Sequence, residues 1–436
     1  MNDLESITAQ KEGSPVSDDF WLRLDNAAKI YPAVLTDELT AVFRLSAVLK
    51  EPLKITPFLK AVHLLEHRFP YYKVLPKKGF FWYYLEYYDE RTTVRPDFEI
   101  PSRRFEKNEL LFRILVKGHK VSVEFSHILT DGAGAFEFLK SLLMTYFREC
   151  GIAVAADVAF MKFDEKPSEG EFEDSFSTYF QKHLPSLVKI PKSFHLPFGL
   201  KMSPRFSVLS FLVHIDEISA LAKKHKVSLT VYLVGVYLYA LQNIFNKMTA
   251  LKKHRSRKIL RIQVPINLRK MYPSNTMRNF SLFITPEIDL RLGDYTFEEI
   301  LHTVHHLMQL EMDKKLINKI ISRNVGAERN ILLKNTPLFI KSLILYFSYK
   351  IAGTSLYSGV ITNLGKVSIH EDINEHIDYF MFSPPPANKS LKVNCGVIGF
   401  ENNLVLSFGN ITTSKALEQE FISVLTKAGL RVKIVN

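Results

Sequence analysis

Cysteine and tryptophan are scarce in this chain, at 2 each among 436 residues. Cys150 and Cys395 belong to neither a CxxC nor a Cys/His cluster, so no zinc signature is present. Two lone thiols in so long a chain point to a reducing, cytoplasmic setting. Long apolar runs are missing too: no stretch of about 18 uncharged apolar residues occurs, so no membrane-spanning helix is expected. Residues 1–19 are polar and acidic without the apolar core of a signal peptide, and they read as a disordered lead-in. No G-x-S-x-G elbow, P-loop or G-x-G-x-x-G occurs, which argues against serine hydrolases and phosphate-cradling nucleotide enzymes. Neither a nucleic-acid-binding motif, an internal repeat nor a low-complexity tract is found.

What the chain does have is aromatic bulk: 33 Phe and 18 Tyr within a composition that is 47% hydrophobic. That suits thick apolar walls around a cleft as well as large cores. Lys and Arg number 57 against 45 Asp and Glu, a net charge of +12 that favours anionic partners. The charge is dispersed except for one cluster, Lys252, Lys253, Arg255, Arg257, Lys258 and Arg261. This cluster is either a solvated loop edge or a phosphate-binding patch. Residues 338–352 are apolar but contain Lys341 and Lys350, the pattern of an amphipathic core helix, with interfacial membrane contact as the alternative.

The length suits two domains or two tightly joined halves. The pattern divides the chain into the lead-in 1–19, an N-terminal half 20–162, a crossing segment 163–205 rich in acidic residues and proline, and a C-terminal half 206–436. In the first half, strands are expected at 41–49, 71–75 and 80–88, with a hairpin of 111–117 and 120–126 around Gly118. A helix capped by Thr56 with Pro57 at its first position runs to about 68, and another runs from Asp131 to about 150. In the second half, strands are expected at 206–214, 259–265, 280–288, 358–363, 376–382, 391–399 and 402–409. Helices are expected at 218–225, 229–245, 296–312, 336–351 and 414–428.

One segment combines a proton acceptor with a defined local scaffold: S-H-I-L-T-D-G at 126–132. His127 ends an alternating strand, and imidazole is the side chain whose ordinary pKa lies nearest the working pH. Asp131 stands four residues later at a helix start. It either orients the imidazole or forms a structural ion pair with an arginine on another element, whose fork suits a carboxylate. Gly132 leaves room for close backbone approach. Ser126 is a poor nucleophile candidate, because adjacent strand residues point to opposite faces. His302, His305 and His306 share a helix face but form no H-E-x-x-H pattern, and a solvated face is the simpler reading.

S-H-I-L-T-D-G resembles the H-H-x-x-x-D-G signature of CoA-dependent acyltransferases and peptide-synthetase condensation domains. The run 264–269, V-P-I-N-L-R, with Arg278, Asn279 and Phe280, resembles that superfamily's Asn-Leu-Arg block. The segment 21–32, W-L-R-L-D-N-A-A-K-I-Y-P, resembles the opening of bacterial alcohol acetyltransferase-like proteins. The resemblance implies a chloramphenicol-acetyltransferase-like α/β fold, two similar halves flanking a central tunnel. It implies transfer of an acyl group from a CoA thioester to an alcohol or amine, a small molecule or a lipid, with His127 as general base. Asp131, Gly132 and Arg269 become structural residues of the site, with an Asp131–Arg269 ion pair. Thr362 and Asn363 become candidates for stabilising the oxyanion or lining the tunnel, and Lys252, Lys253, Arg255, Arg257 and Lys258 for binding the CoA phosphates. Acyl-CoA is then a co-substrate, no bound cofactor or metal is required, and the chain acts as a monomer. Two alternatives are a condensation-type enzyme using carrier-bound acyl groups and a non-catalytic binder of acyl-CoA or lipid. Ser126 replaces the signature's first histidine, which weakens the peptide-synthetase assignment, and the plant-type D-F-G-W-G block is absent.

Overall fold

The alternating run Lys120–Ser126 folds as the middle strand of a five-stranded sheet. The computed structural model describes residues 20–97, 101–152, 161–182, 190–202, 205–349 and 355–435; the lead-in 1–19 lies outside them. One neighbour of the middle strand is Phe112–Lys117, joined to it by a tight turn in which Gly118 takes a left-handed φ of 58°. The other is Val42–Leu49, and Val94–Pro96 closes the far edge in parallel. The fifth strand comes from the other half of the sequence. Ile377–Ser383 pairs antiparallel with Val42–Leu49, setting Phe382 opposite Leu45. The two halves therefore interlock, because a C-terminal strand completes the N-terminal sheet.

The second large sheet has eight strands. Its path runs Ser281–Ile284, Ile259–Asn267, Gly359–Val367, Val393–Phe400, Asn403–Asn410, Ser207–His214 and Lys433–Val435, with Glu287–Asp289 also on Ile259–Asn267. Gly359–Val367 lies parallel to both neighbours, and the other pairings are antiparallel. Helix Leu229–Asn246, apolar on nearly every side, is buried between the helices Phe297–Glu311 and Ala416–Lys427. In the first half, helix Gly132–Glu149 packs against helix Ile55–Leu65 and the five-stranded sheet.

Several local expectations need correction. Thr56 does not cap its helix: Phe58 N–H already bonds to the Lys54 carbonyl, so the helix starts at Ile55, and Lys54 N–H is held by the Tyr146 hydroxyl. Residues 70–72 form a 3₁₀ turn set by Pro70, which delays the strand to Val74–Lys78. The 280–288 strand is broken at Pro286, which lacks the N–H a continuous ladder needs. A helix not indicated by the sequence pattern, Lys314–Arg329, starts at Asp313, whose carboxylate accepts from Lys315 and Leu316 N–H. Ile317, Ile321 and Val325 are its fully buried apolar side chains among the described residues, set among charged residues that dilute the apolar repeat. Among the described residues no single helix is long and apolar enough to cross a membrane, and the one adjoining pair that passes together is bent by 82°.

Candidate functional site

His127 lies just past the end of the central strand of the five-stranded sheet, at the wall of a cavity of about 2000 Å³. The elements beneath it hold it from several directions. Its own N–H bonds to the Ala41 carbonyl at 2.9 Å, and its carbonyl accepts from the Asn279 amide at 2.9 Å. Asn279 in turn donates to buried Asp25 at 3.0 Å. The imidazole stacks on Tyr31, with centroids 5.7 Å apart, and tilts against Phe43 at 4.6 Å. Its Nδ1 is 3.2 Å from the Thr130 carbonyl. A carbonyl only accepts, so Nδ1 carries the proton and Nε2 is left with a lone pair. Burial pushes the imidazole pKa below its usual value, against the opposing pull of Asp131 and the local hydrogen bonds.

Asp131 does not touch the imidazole through a hydrogen bond of its own. It caps helix Gly132–Glu149: one carboxylate oxygen accepts from Ala133 N–H at 3.2 Å and Gly134 N–H at 3.1 Å. The other accepts from Arg269 at 2.9 Å and from Phe280 N–H at 2.8 Å. Burial alone would raise the Asp131 pKa, but the Arg269 cation and these donors outweigh it and hold the carboxyl below the usual range. Arg269 also donates to the Thr276 carbonyl at 2.8 Å, to the Asn267 side chain at 3.2 Å and to the Arg278 carbonyl. One guanidinium thus gathers the loop after Ile259–Asn267 and fastens it to the helix that follows His127.

Glycine is required here for space. A β-carbon on Gly134 would sit 2.3 Å from both the Met277 carbonyl and the Thr130 hydroxyl. On Gly132 it would sit 2.8 Å from the end of the Leu364 side chain, a softer obstacle. Thr130 and Tyr72 hydroxyls both donate to the Met277 carbonyl, at 2.5 and 2.9 Å. Thr130, Asn279 and Asp25 lie within the quoted segments 126–132, 278–280 and 21–32 but carry no role in the sequence reading. Gly134 and Tyr72 lie outside those segments and give no local signal.

Thr362 and Asn363 both line the cavity on strand Gly359–Val367. The Asn363 amide is engaged, donating to Thr230 at 3.0 Å and accepting from Gly365 N–H at 2.8 Å. The structure does not bring Lys252, Lys253, Arg255, Arg257 or Lys258 to the cavity wall. They occupy the short helix Ala250–Arg255 and the residues after it, mostly exposed, with Lys253 over the Phe245 ring. Arg261 is buried, paired with Glu287 and bonded to the Pro191 and Leu356 carbonyls at 2.8 Å. Lysine and arginine do reach the cavity at Lys29, Lys192, Lys270, Arg323 and Lys341. Ser126 is buried, and its hydroxyl accepts from Ile128 N–H at 3.2 Å. His302 and His306 meet at 3.0 Å on an exposed helix face. Among the described residues no group of three or more His, Cys, Asp or Glu is arranged to hold a metal ion.

No protein-family model and no curated protein matches the sequence. Solved structures do match the fold. F. sporotrichioides TRI101, solved with coenzyme A and T-2, aligns with a TM-score of 0.63 over 96% of this chain and 100% of its own, at 9% identity. The chain has a chloramphenicol-acetyltransferase-like fold. TRI3, the trichothecene 15-O-acetyltransferase from Fusarium sporotrichioides, aligns at 0.60 over 95% and 97%, with 10% identity. The condensation domain of the monacolin K polyketide synthase MokA aligns at 0.59 over 94% and 97%, with 11% identity. In this chloramphenicol-acetyltransferase-like frame, the cavity lies between the sheets of the two halves, with His127 on one wall and the strand Gly359–Val367 on another.

Proposed function

We propose that the protein is an acyltransferase that moves an acyl group from a CoA thioester to an alcohol or amine. The observation that carries this reading is the bond from His127 Nδ1–H to the Thr130 carbonyl, which leaves Nε2 unprotonated at the wall of a large cavity. Nε2 takes the proton as the acceptor oxygen or nitrogen attacks the thioester carbon. The tetrahedral intermediate collapses by expelling the CoA thiolate, which recovers the proton from the imidazolium. The depressed imidazole pKa keeps the base neutral before the attack. Tyr31 and Phe43 hold the ring plane, and the largely apolar lining limits competing hydrolysis. The Thr362 hydroxyl is the better of the two oxyanion candidates, because the Asn363 amide is already bonded to Thr230. For the CoA phosphates, Lys192, Lys270 and Arg323 line the cavity and the 252–258 cluster does not. Asp131 and Arg269 hold the frame and take no proton.

The test is release of free thiol from acetyl-CoA with a panel of alcohols and amines, comparing the protein with His127→Ala. Turnover in the first and none in the second, with both folded, is expected. Retained turnover in His127→Ala overturns the general base.

A second reading is favoured by the likeness to the MokA condensation domain over 94% of this chain: the acyl group is carried by a carrier protein. Inactivity with free acyl-CoA and activity with an acylated carrier would select it. Binding of acyl-CoA with no thiol release from any donor would mark a non-catalytic member of the fold.

A further inference from the structure

Helix Leu338–Ser348 is amphipathic the wrong way round for a helix facing water. Its one charged side chain, Lys341, points inward: it is 3% exposed, donates to the Phe81 and Lys334 carbonyls at 3.1 Å, and sits 3.7 Å over the Trp82 ring. Its large apolar side chains point outward. Phe339 is 68% exposed, Leu343 56%, Phe347 53% and Ile344 47%. The spacing of 339, 343 and 347 puts them on one stripe. The tip of the neighbouring hairpin extends the stripe, because Leu338 N–H bonds to the Phe80 carbonyl at 2.9 Å and Phe80 and Phe81 are also exposed. A contiguous apolar face of this kind calls for a partner.

The charges around it identify the partner. No Asp or Glu occurs between Glu328 and Glu371, nor between Glu66 and Glu86, the two stretches that build the face. Lys78 and Lys334, both exposed, flank it. An exposed Phe/Leu/Ile stripe flanked by Lys78 and Lys334, on stretches without Asp or Glu, matches an anionic lipid surface, where the apolar side chains enter the acyl boundary and the lysines meet headgroup phosphates. The helix that carries the face also borders the cavity. Ile344, Leu345 and Trp82 line the cavity, and the helix packs on Tyr31–Val34, whose Tyr31 stacks on His127.

We propose that the helix Leu338–Ser348, with the Phe80–Phe81 tip, docks the protein peripherally on a bilayer containing anionic phospholipid. The docking does not depend on which reaction the cavity performs.

The experiment is flotation of the full chain with vesicles of phosphatidylcholine alone or with an equal share of phosphatidylglycerol, at low and high salt. Binding to the anionic vesicles, about tenfold weaker on phosphatidylcholine or in high salt, is expected. Phe339→Asp with Leu343→Asp should lower binding at least about tenfold, because it places charge at the acyl boundary. Lys78→Glu with Lys334→Glu, both surface positions, should remove the preference for phosphatidylglycerol, and this variant decides the matter if the first does not fold. Absence of binding to either vesicle overturns the proposal, as does binding unchanged in both variants. A dimer in light scattering that Leu343→Asp dissolves would also overturn it, assigning the face to a second copy of the chain.

Discussion

Asp131 and Arg269 lie 138 positions apart in the chain and 2.9 Å apart in space, and this pair joins the helix behind His127 to the loop of the other half. Both side chains are largely shielded from water. Removing the cation leaves a buried carboxylate with backbone donors alone. Arg269→Ala should therefore cost about 3–5 kcal/mol of stability. Denaturant unfolding checks this; an acyl-CoA affinity that falls while stability holds would instead place Arg269 in substrate binding.

The pH dependence of His127 follows from its burial. Its pKa in the folded protein lies below the ordinary 6.5, so in that window the unfolded chain binds the extra proton. The stability contribution from a neutral His127 is thus present above pH 6.5 and declines as pH falls below it. For the proposed reaction, the acid limb of kcat/KM should fall below pH 6.5. Asp131→Asn should move that limb lower still, since the Asp131 charge favours the imidazolium. A limb at or above 6.5 in the unaltered protein contradicts this.

Asp25 behaves in the opposite sense. Burial raises its carboxyl to about 6, with Arg278 opposing, while Ala28 N–H and the Asn279 amide use it as an acceptor. A raised carboxyl binds its proton more tightly in the folded state, so its contribution weakens as pH rises from 3.8 to about 6. The unfolding free energy of the protein minus that of Asp25→Asn should decline over this interval and be flat above it. A difference flat throughout would show that Asp25 titrates normally.

Gly134→Ala should be more damaging than Gly132→Ala. The first drives a methyl into the Met277 carbonyl and Thr130, whose positions other bonds hold; the second meets only the tip of Leu364. A loss of about 3 kcal/mol is expected for Gly134→Ala and less for Gly132→Ala. Thermal unfolding ranks the two, and a reversed order refutes the packing argument.

Glu171 anchors the crossing segment. Arg68 grips its carboxylate at 2.7 and 3.0 Å, and the Tyr71 hydroxyl adds a third bond at 2.8 Å. The Glu171 carbonyl accepts from Met277 N–H, so the segment touches both halves. Glu171→Gln weakens the hold on a buried arginine and should cost about 3 kcal/mol. Limited proteolysis should then cut between the halves sooner, whereas unchanged cleavage and stability would deny the anchor.

The sequence by itself determined what depends on short range. The 3.6- and 2-residue periods set most helices and strands, Gly118 set the hairpin turn, and the 126–132 segment put an imidazole at a strand end and a carboxylate at a helix cap. These rest on neighbours a few residues away, and they survive any packing of the halves. The helix expected to be capped by Thr56 starts earlier, at Ile55, where a distant partner, the Tyr146 hydroxyl, takes the Lys54 N–H. Tertiary structure alone decided which oxygen of Asp131 faces Arg269, that Asn279 braces the His127 carbonyl, and that Gly134 has no room for a methyl group. It also moved a C-terminal strand into the N-terminal sheet, withheld the 252–258 cations from the cavity, and turned Lys341 inward so that the phenylalanines of its helix face out. Each of these is a contact between residues far apart in the chain, and no periodicity along the sequence encodes which distant surface a side chain will meet.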